Sequence, residues 1–412
     1  MAATESDRLV VFVAPFVFDT TLRFVRAAAA VPGIDLVLVS RDPLSKFPND
    51  LRQRLGGHWR VDELTTDALI TAVRGVAARA GRPVHRLLGT LEQLQVPLAA
   101  VREALGIEGM GPEKAQNFRD KAQMKDRLRA AGVPCARHRL LRSADDARDF
   151  VAEVGYPLVI KPPAGAGAKA TYRVERDADL ERVLVELPFG PAAPLLAEEF
   201  IQGEEFSFDG ASIDGRLVWH SITQYLPTPL EVVRNPWIQW CVLLPREVDE
   251  ARFDEARSAA VEALDALGMG TGVSHLEWFR RADGSVAVSE VGARPGGAQI
   301  SKLMSYAHGF DFYRAWAGLM IDGSFEPPPR RHAAGAAFLR GQGRGNVRRV
   351  RGLREAQKVI GHLVVETNLP RLGQPASSSY EGEGYVILRH EETRVVEDAL
   401  RQLISLMRVE LG

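Results

Sequence analysis

Two fold classes follow one another along this chain: a parallel α/β sheet at the N-terminal end, then α+β segments with antiparallel strands. Three observations predict this. Short apolar runs of strand length alternate with helix-period segments over roughly the first 115 residues. Beyond Gly155, strand-like runs are separated by glycine-containing turns. Asp283-Gly284, a strong two-residue hairpin signal, lies between two stretches of alternating apolar residues.

The elements follow in order. LVVFVAP (Leu9–Pro15) is a short apolar run ended by proline and reads as the first strand. TLRFVRAAAAV reads as a helix and IDLVLVS (Ile34–Ser40) as a buried strand. TTDALITAVRGVAARAG has helical periodicity and is closed by Gly81; VHRLLG is a third strand-like run. No G-x-G-x-x-G accompanies this sheet, so a dinucleotide is not implied. Phe118–Gly132 is predicted as one helix, stopped by Gly-Val-Pro. Ser143 with Asp146 three residues on has capping-box spacing, and the helix it starts ends at Gly155. YPLVIK is a strand that delivers Lys161 to a glycine-rich loop, and PLLAEEFIQGEEFSFDGASIDGRLVWHSI reads as further strands. An amphipathic helix covers roughly Glu250 to Leu267. EPPPRR (Glu326–Arg331) reads as a linker, after which the sequence turns Ala- and Gly-rich and then basic. The last helix, within EETRVVEDALRQLISLMRVEL, puts Val395, Ala399, Leu403 and Met407 on one face.

Bulk properties narrow the function. A chain of 412 residues suggests two to four domains. Its 52 Lys and Arg balance 53 Asp and Glu, so no bulk field attracts nucleic acid or a membrane surface. The basic stretch Arg340–Arg354 reads first as solvated surface, with phosphate contact the alternative. Cys135 and Cys241 build neither a disulfide framework nor a zinc spacing, which fits a reducing compartment. The N-terminus lacks a basic, then apolar, leader, and no run approaches the ~20 apolar residues of a membrane span. A cytoplasmic location is expected.

Two motifs carry chemistry. In VIKPPAGAGAKAT (Val159–Thr171) the lysine precedes the glycines, the reverse of G-x-x-x-x-G-K-[ST]. The stretch is either a phosphate loop of another design or a bend after a strand. In GVSHLEWFRRADGSVAVSEVGARPGG, Val273, His275, Glu277 and Phe279 alternate onto one face of a strand, and Val286, Val288 and Glu290 onto one face of the next. A turn at Asp283-Gly284 sets Glu277 opposite Glu290. Opposed carboxylates repel unless one is protonated or a cation lies between them, and Mg²⁺ takes such ligands. A solvent-facing pair in a slightly different register is the alternative. QYLPTPLEVVRNPWIQW (Gln224–Trp240) is aromatic and apolar, and reads as pocket lining for an apolar amino acid, as core or as an oligomer contact.

These pieces in this order resemble the ATP-grasp superfamily, and within it the carboxylate–amine ligases of the L-amino acid ligase kind. The likeness is strongest over roughly Lys121 to Gly323. It implies an ATP-grasp fold: an N-terminal parallel α/β domain (1–117), a lid subdomain (118–205), a large subdomain (206–325) and a C-terminal module (326–412). In that family the glycine loop is a flap over the phosphates. The resemblance assigns ATP phosphates to Lys121, Lys161, Gly165, Gly167 and Lys169. It assigns the adenine to Glu198, Glu199 and Ile201, and the ribose to Glu205, with Glu204 the competing choice. Glu277 and Glu290 become ligands of one or two Mg²⁺, with Mn²⁺ admitted. Arg294 falls where the family puts an arginine on the reacting carboxylate, and Arg294 and Lys161 become the catalytic pair. His275 is typical of the amino-acid-ligase branch and joins Arg294 on the substrate. Many members carry Asn where this chain has Gly292, so the second metal would be held by Glu290 and phosphates alone.

The implied reaction is ATP-dependent joining of a small carboxylate and an amine through an acyl phosphate. Nucleic acid and membrane are not expected as partners; a homodimer is admitted. ATP-dependent carboxylases and purine-pathway enzymes share the nucleotide apparatus and stand as alternatives. A non-catalytic ATP-binding protein is the alternative of another class.

Overall fold

A computed structural model of the protein describes residues 8–165, 170–235 and 238–412. At the N-terminal end, Arg8–Val13, Ile34–Ser40 and Val84–Leu88 are parallel strands, close to where the apolar runs placed them. Leu9, Val11 and Val13 face a cluster that includes Leu69, Val73 and Leu98, while Val10 and Phe12 face Leu22 and Val25 on the other side. Burial of both faces is what makes these strands near-continuous apolar runs. A fourth strand, Gly57–Arg60, lies at the edge beside Ile34–Ser40. Three of its four residues are half-buried and Arg60 is exposed, and they carry no periodic signal. The helix Thr66–Ala80 is capped by the Thr65 hydroxyl and ends at Gly81, whose φ is +65°.

The helix expected over Phe118–Gly132 is broken. Pro112–Arg119 ends at Asp120, whose backbone is extended and whose carboxylate accepts from the amides of Ala122 and Gln123. Asp120 is therefore the N-cap of a second helix, Lys121–Ala130. Helical periodicity runs through such a junction, which is why the pattern read as one helix. The predicted Ser143–Asp146 capping box is present, before the helix Ala144–Val154.

A four-stranded antiparallel sheet follows, in the order His138–Leu141, Leu195–Glu199, Leu158–Lys161, Tyr172–Val174. Against it stands an eight-stranded antiparallel sheet, beginning Val286–Gly292, Gly272–Arg280, Glu204–Ile213, Arg216–Leu226 and Trp240–Leu244. The chain after residue 326 supplies the rest: Ala333–Leu339, Gly384–His390 and Val364–Asn368. Every residue of Ala333–Leu339 is buried. Its small side chains admit the helix Thr393–Leu406, and a Cβ on Gly335 would lie 2.6 Å from Leu400 Cδ1.

Three smaller expectations are corrected. The last helix buries Val396, Ala399, Leu400 and Leu403; it stops before Met407, and Arg408–Leu411 is a strand. The helix expected from Glu250 starts at Asp254. Arg340, read as surface, is buried and donates to the carbonyls of Val232, Asn235 and Ile238. Among the described residues no helix is long and apolar enough to cross a membrane.

Candidate active site

The turn between Gly272–Arg280 and Val286–Gly292 is longer than two residues. Arg281 N donates to Ser285 O and Gly284 N to Arg281 O, with Gly284 at φ +87°. Arg280 therefore pairs with Val286, one residue off the two-residue-turn register. A bulge between Glu277 and Trp278 then leaves Ser289 as the extra residue and restores the register, so Glu277 pairs with Glu290. The expected opposition holds because two local departures cancel. The bulge also presents the Ser289 carbonyl to Lys125, whose Nζ donates at 2.7 Å.

Glu290 is not left to face Glu277 alone. Lys121 Nζ, on the first turn of its helix, is 2.9 Å from Glu290 Oε1. Burial would raise the Glu290 pKa, but Lys121 and Lys161 outweigh it and bring it down to about 2. The break at Asp120 is what places Lys121 here; its backbone amide donates to Pro163 O, at the start of the glycine-rich loop.

Lys161 leaves the end of its strand at 9% exposure, with Nζ 2.9 Å from Glu198 Oε2. Burial works against its charge, yet Glu198 and Glu290 raise its pKa. Lys125, wholly buried, lies 3.4 Å from Glu198 Oε1, and there burial wins and the pKa falls. Glu198 is itself held below its ordinary range: burial would raise it, and Lys125 and Lys161 outweigh burial. Its side chain thus serves two lysines.

A cavity of about 1080 Å³ opens between the four- and eight-stranded sheets, and every described candidate residue except Glu204 lines it. Gly167 and Lys169 lie outside the described residues. Gly165 accepts from Arg119 Nη1 at 3.1 Å and Lys121 Nζ at 3.2 Å through its carbonyl. Ile201 packs with Ala136, Ala287 and Phe279 into a small apolar cluster at one end. Glu199 pairs with Arg137 and, at 3.8 Å, Arg281. The two neighbours Glu204 and Glu205 part company. Glu204 is exposed and bonds Gln224, whereas Glu205 is 6% exposed and faces the cavity. Burial first, then Glu277, raises the Glu205 pKa well above its ordinary value.

Beyond the carboxylate pair, His275 Nδ1 is 2.7 Å from Asp209 Oδ1, and Asp209 Oδ2 accepts from Ser207 Oγ at 2.8 Å. His275 Nε2 lies 3.4 Å from Tyr225 Oη and 3.5 Å from Glu277 Oε1. Burial would lower the His275 pKa; Asp209 overcomes this and lifts it to about 10. Arg294 pairs through Nε with Glu92 and donates from Nη1 to Pro295 O at 2.8 Å. Sequence reasoning missed Lys125, Asp209, Glu92 and Tyr380. Tyr380 reaches the cavity from the C-terminal segment, edge-on to Trp240 with ring centroids 4.9 Å apart. Tyr225 and Trp240 come from the aromatic stretch noted in the sequence.

Two opposed carboxylates on a cavity wall fit Mg²⁺, which commonly takes one or two protein carboxylates and completes its shell with water and phosphate oxygens. Among the described residues no three His, Cys, Asp or Glu side chains group to hold a metal unaided. The same oxygen donors suit Mn²⁺.

Residues 126–298 match the ATP-grasp domain family. The L-arginine-specific L-amino acid ligase of Bacillus subtilis is 24% identical over 325 residues, covering 76% of this chain and 77% of that protein. The alanine–anticapsin ligase of Bacillus subtilis (strain 168) is 27% identical over 247 residues, 55% of this chain and 51% of that one, so this chain spans about half its length. Among solved structures, an L-amino acid ligase from Bacillus licheniformis superposes with a TM-score of 0.77 at 20% identity, over 98% of this chain and 99% of that one. A phosphoribosylglycinamide synthetase from Anaerococcus prevotii reaches 0.70 at 15% identity, over 98% and 100%. At these identities the superpositions show a shared fold.

Proposed function

From the match of residues 126–298 to the ATP-grasp domain family, we propose that the protein is an ATP-dependent carboxylate–amine ligase. It joins an amino acid carboxylate to an amine through an acyl phosphate and releases ADP and phosphate. One observation carries the reading: Glu277 and Glu290 stand opposed in a cavity that Lys121, Lys161 and Arg294 also line. Lys121 and Lys161, with Mg²⁺ on the two glutamates, would neutralise a triphosphate, and Arg294 a carboxylate, which suits transfer by positioning and charge.

Each residue then has a task. Lys121, Lys161 and Gly165 bind phosphates, with Gly167 and Lys169 completing the loop. Glu198 keeps Lys161 charged and in place. Glu199 and Ile201 line the adenine, and Glu205, inward-facing, meets the ribose. Glu277 and Glu290 would hold Mg²⁺, which when bound supplies positive charge to the phosphate oxygens. The substrate carboxylate, held by Arg294 beside His275, attacks the γ-phosphate. The amine then attacks the acyl carbon and phosphate leaves. The names of the relatives, L-arginine-specific L-amino acid ligase and alanine–anticapsin ligase, favour amino acid substrates.

The test has two stages. Standard L-amino acids supplied in pairs with ATP and Mg²⁺ should give phosphate and an amide product with at least one pair. A carboxylate labelled with ¹⁸O should then pass label to inorganic phosphate, with ADP as the nucleotide product. Label in AMP would exclude the acyl-phosphate route. Phosphate release that needs bicarbonate would favour a carboxylase, and absence of any turnover a non-catalytic ATP-binding protein.

A further inference from the structure

We propose that Glu92 is a positioning residue that locks the Arg294 guanidinium for an incoming carboxylate, an inference that rests on the ligase reading for the identity of that anion. Glu92 comes from the N-terminal parallel α/β unit, 202 residues away from Arg294 in sequence, and is 9% exposed. Its Oε2 takes the Arg294 Nε–H, and the Pro295 carbonyl takes Nη1. Nη2 meets no protein acceptor among the described residues, while Arg294 lines the cavity. Two of the three nitrogens are thus fixed, and the third is left for a ligand.

Geometry around Glu92 shows why it is held there. Its other oxygen, Oε1, lies 3.6 Å from Arg119 Nη1, and that same nitrogen donates to the Gly165 carbonyl. Glu92 therefore sits between the arginine of the substrate side and the arginine that touches the glycine-rich loop. Gly292 lies beside the pair: a Cβ there would be in ordinary contact, 3.5 Å from Glu92 Oε2.

The arrangement also protects the carboxylate pair. Burial works against the Arg294 charge; Glu92 first, then Glu290 and Glu277, favour it. A half-buried guanidinium with Glu92 removed would be drawn toward them, because a charge largely withdrawn from water seeks a partner. Glu92 satisfies Arg294 from behind and leaves Glu277 and Glu290 to the cavity.

The experiment pairs a spectroscopic measurement with kinetics in Glu92→Gln and Glu92→Asp. In protein labelled at arginine ¹⁵Nε, the Arg294 signal is identified by its loss in Arg294→Lys. Its N–H should exchange slowly in the wild type, at least tenfold faster in Glu92→Gln, and at an intermediate rate in Glu92→Asp. With an amino acid pair active in phosphate release, Glu92→Gln should raise KM for the carboxylate partner roughly tenfold or more. KM for ATP should stay within twofold, and in an Arg294→Lys background Glu92→Gln should cost little more. Unchanged exchange in Glu92→Gln overturns the proposal, as does an equal rise in both KM values or a fully additive double variant. If no pair releases phosphate, the ligase reading fails separately, and the exchange rate alone decides whether Glu92 holds Arg294.

Discussion

Glu198 shows what one buried residue does for this site. A single carboxylate, 5% exposed, takes Lys161 on one oxygen and Lys125 near the other. Lys125 has a second acceptor in the Ser289 carbonyl, but Lys161 has only Glu198 within ion-pair distance among the described residues. Removing one partner of a buried ion pair leaves an uncompensated charge, which typically costs about 3–5 kcal/mol. Glu198→Gln should therefore lower stability by that order in urea unfolding, and an unchanged midpoint would refute the assignment. Glu290 differs because its side chain is a quarter exposed and faces the cavity. Glu290→Gln should keep a cooperative melt while turnover falls by roughly two orders of magnitude, the scale lost with one electrostatic group at a transition state. Near-wild-type turnover at saturating Mg²⁺ would remove Glu290 from the metal.

At the scale of the element, ends matter more than middles. Asp120 stops one helix, caps the next and sets Lys121 on the first turn facing Glu290. Losing such a cap costs about 1 kcal/mol. Asp120→Ala should show that loss in denaturant and a raised KM for ATP; an unaffected KM would mean that the cap does not aim Lys121. At the end of the helix Ile300–His308, His308 Nδ1 donates to Pro328 O at 2.9 Å and its Nε2 accepts from Arg330. Only the neutral ring can do both. Burial, then Arg330, pushes its pKa from 6.5 to about 4. A depressed folded pKa contributes stability that is present above pH 6.5 and lost as pH falls toward 4. Between pH 7 and 5 the loss should be about 2 kcal/mol, and His308→Asn should flatten that part of the urea-stability profile. A slope unchanged in the variant would contradict the neutral, doubly bonded ring.

Across the whole molecule, the C-terminal segment is built into the site. Three of its strands continue the eight-stranded sheet, and Tyr380 reaches the cavity. Gln299, just after the Arg294 loop, bonds Glu381 at 3.0 Å, and Lys302 pairs with Glu366. A chain ending at Phe325 would strip the partner Ala333–Leu339 from the strand Trp240–Leu244 and expose an apolar edge. Such a truncation should be insoluble; a soluble species with a cooperative melt would show that the segment is dispensable to folding.

Local physics explains what was legible from the amino acids alone. The first sheet could be read because both faces of its strands are buried, leaving unbroken apolar runs such as Ile34–Ser40. The capping box at Ser143 and Asp146 spans four residues, and the Glu277–Glu290 pair lies within one hairpin. The strand carrying Lys161 was likewise apparent, and so was the likeness to the ATP-grasp enzymes. Other features were settled only in three dimensions. The edge strand Gly57–Arg60 exists because Val37–Ser40 offers it a ladder, not because of its own pattern. The turn and bulge that cancel to preserve the carboxylate register are invisible in alternation, which counts residues but not which one is left unpaired. Lys125, Glu92, Asp209 and Tyr380 act through partners from 66 to 202 residues away, or across an aromatic contact of similar separation. Charge pairing of that kind depends on distance in space and on exclusion of water, and neither is set until the sheets have packed.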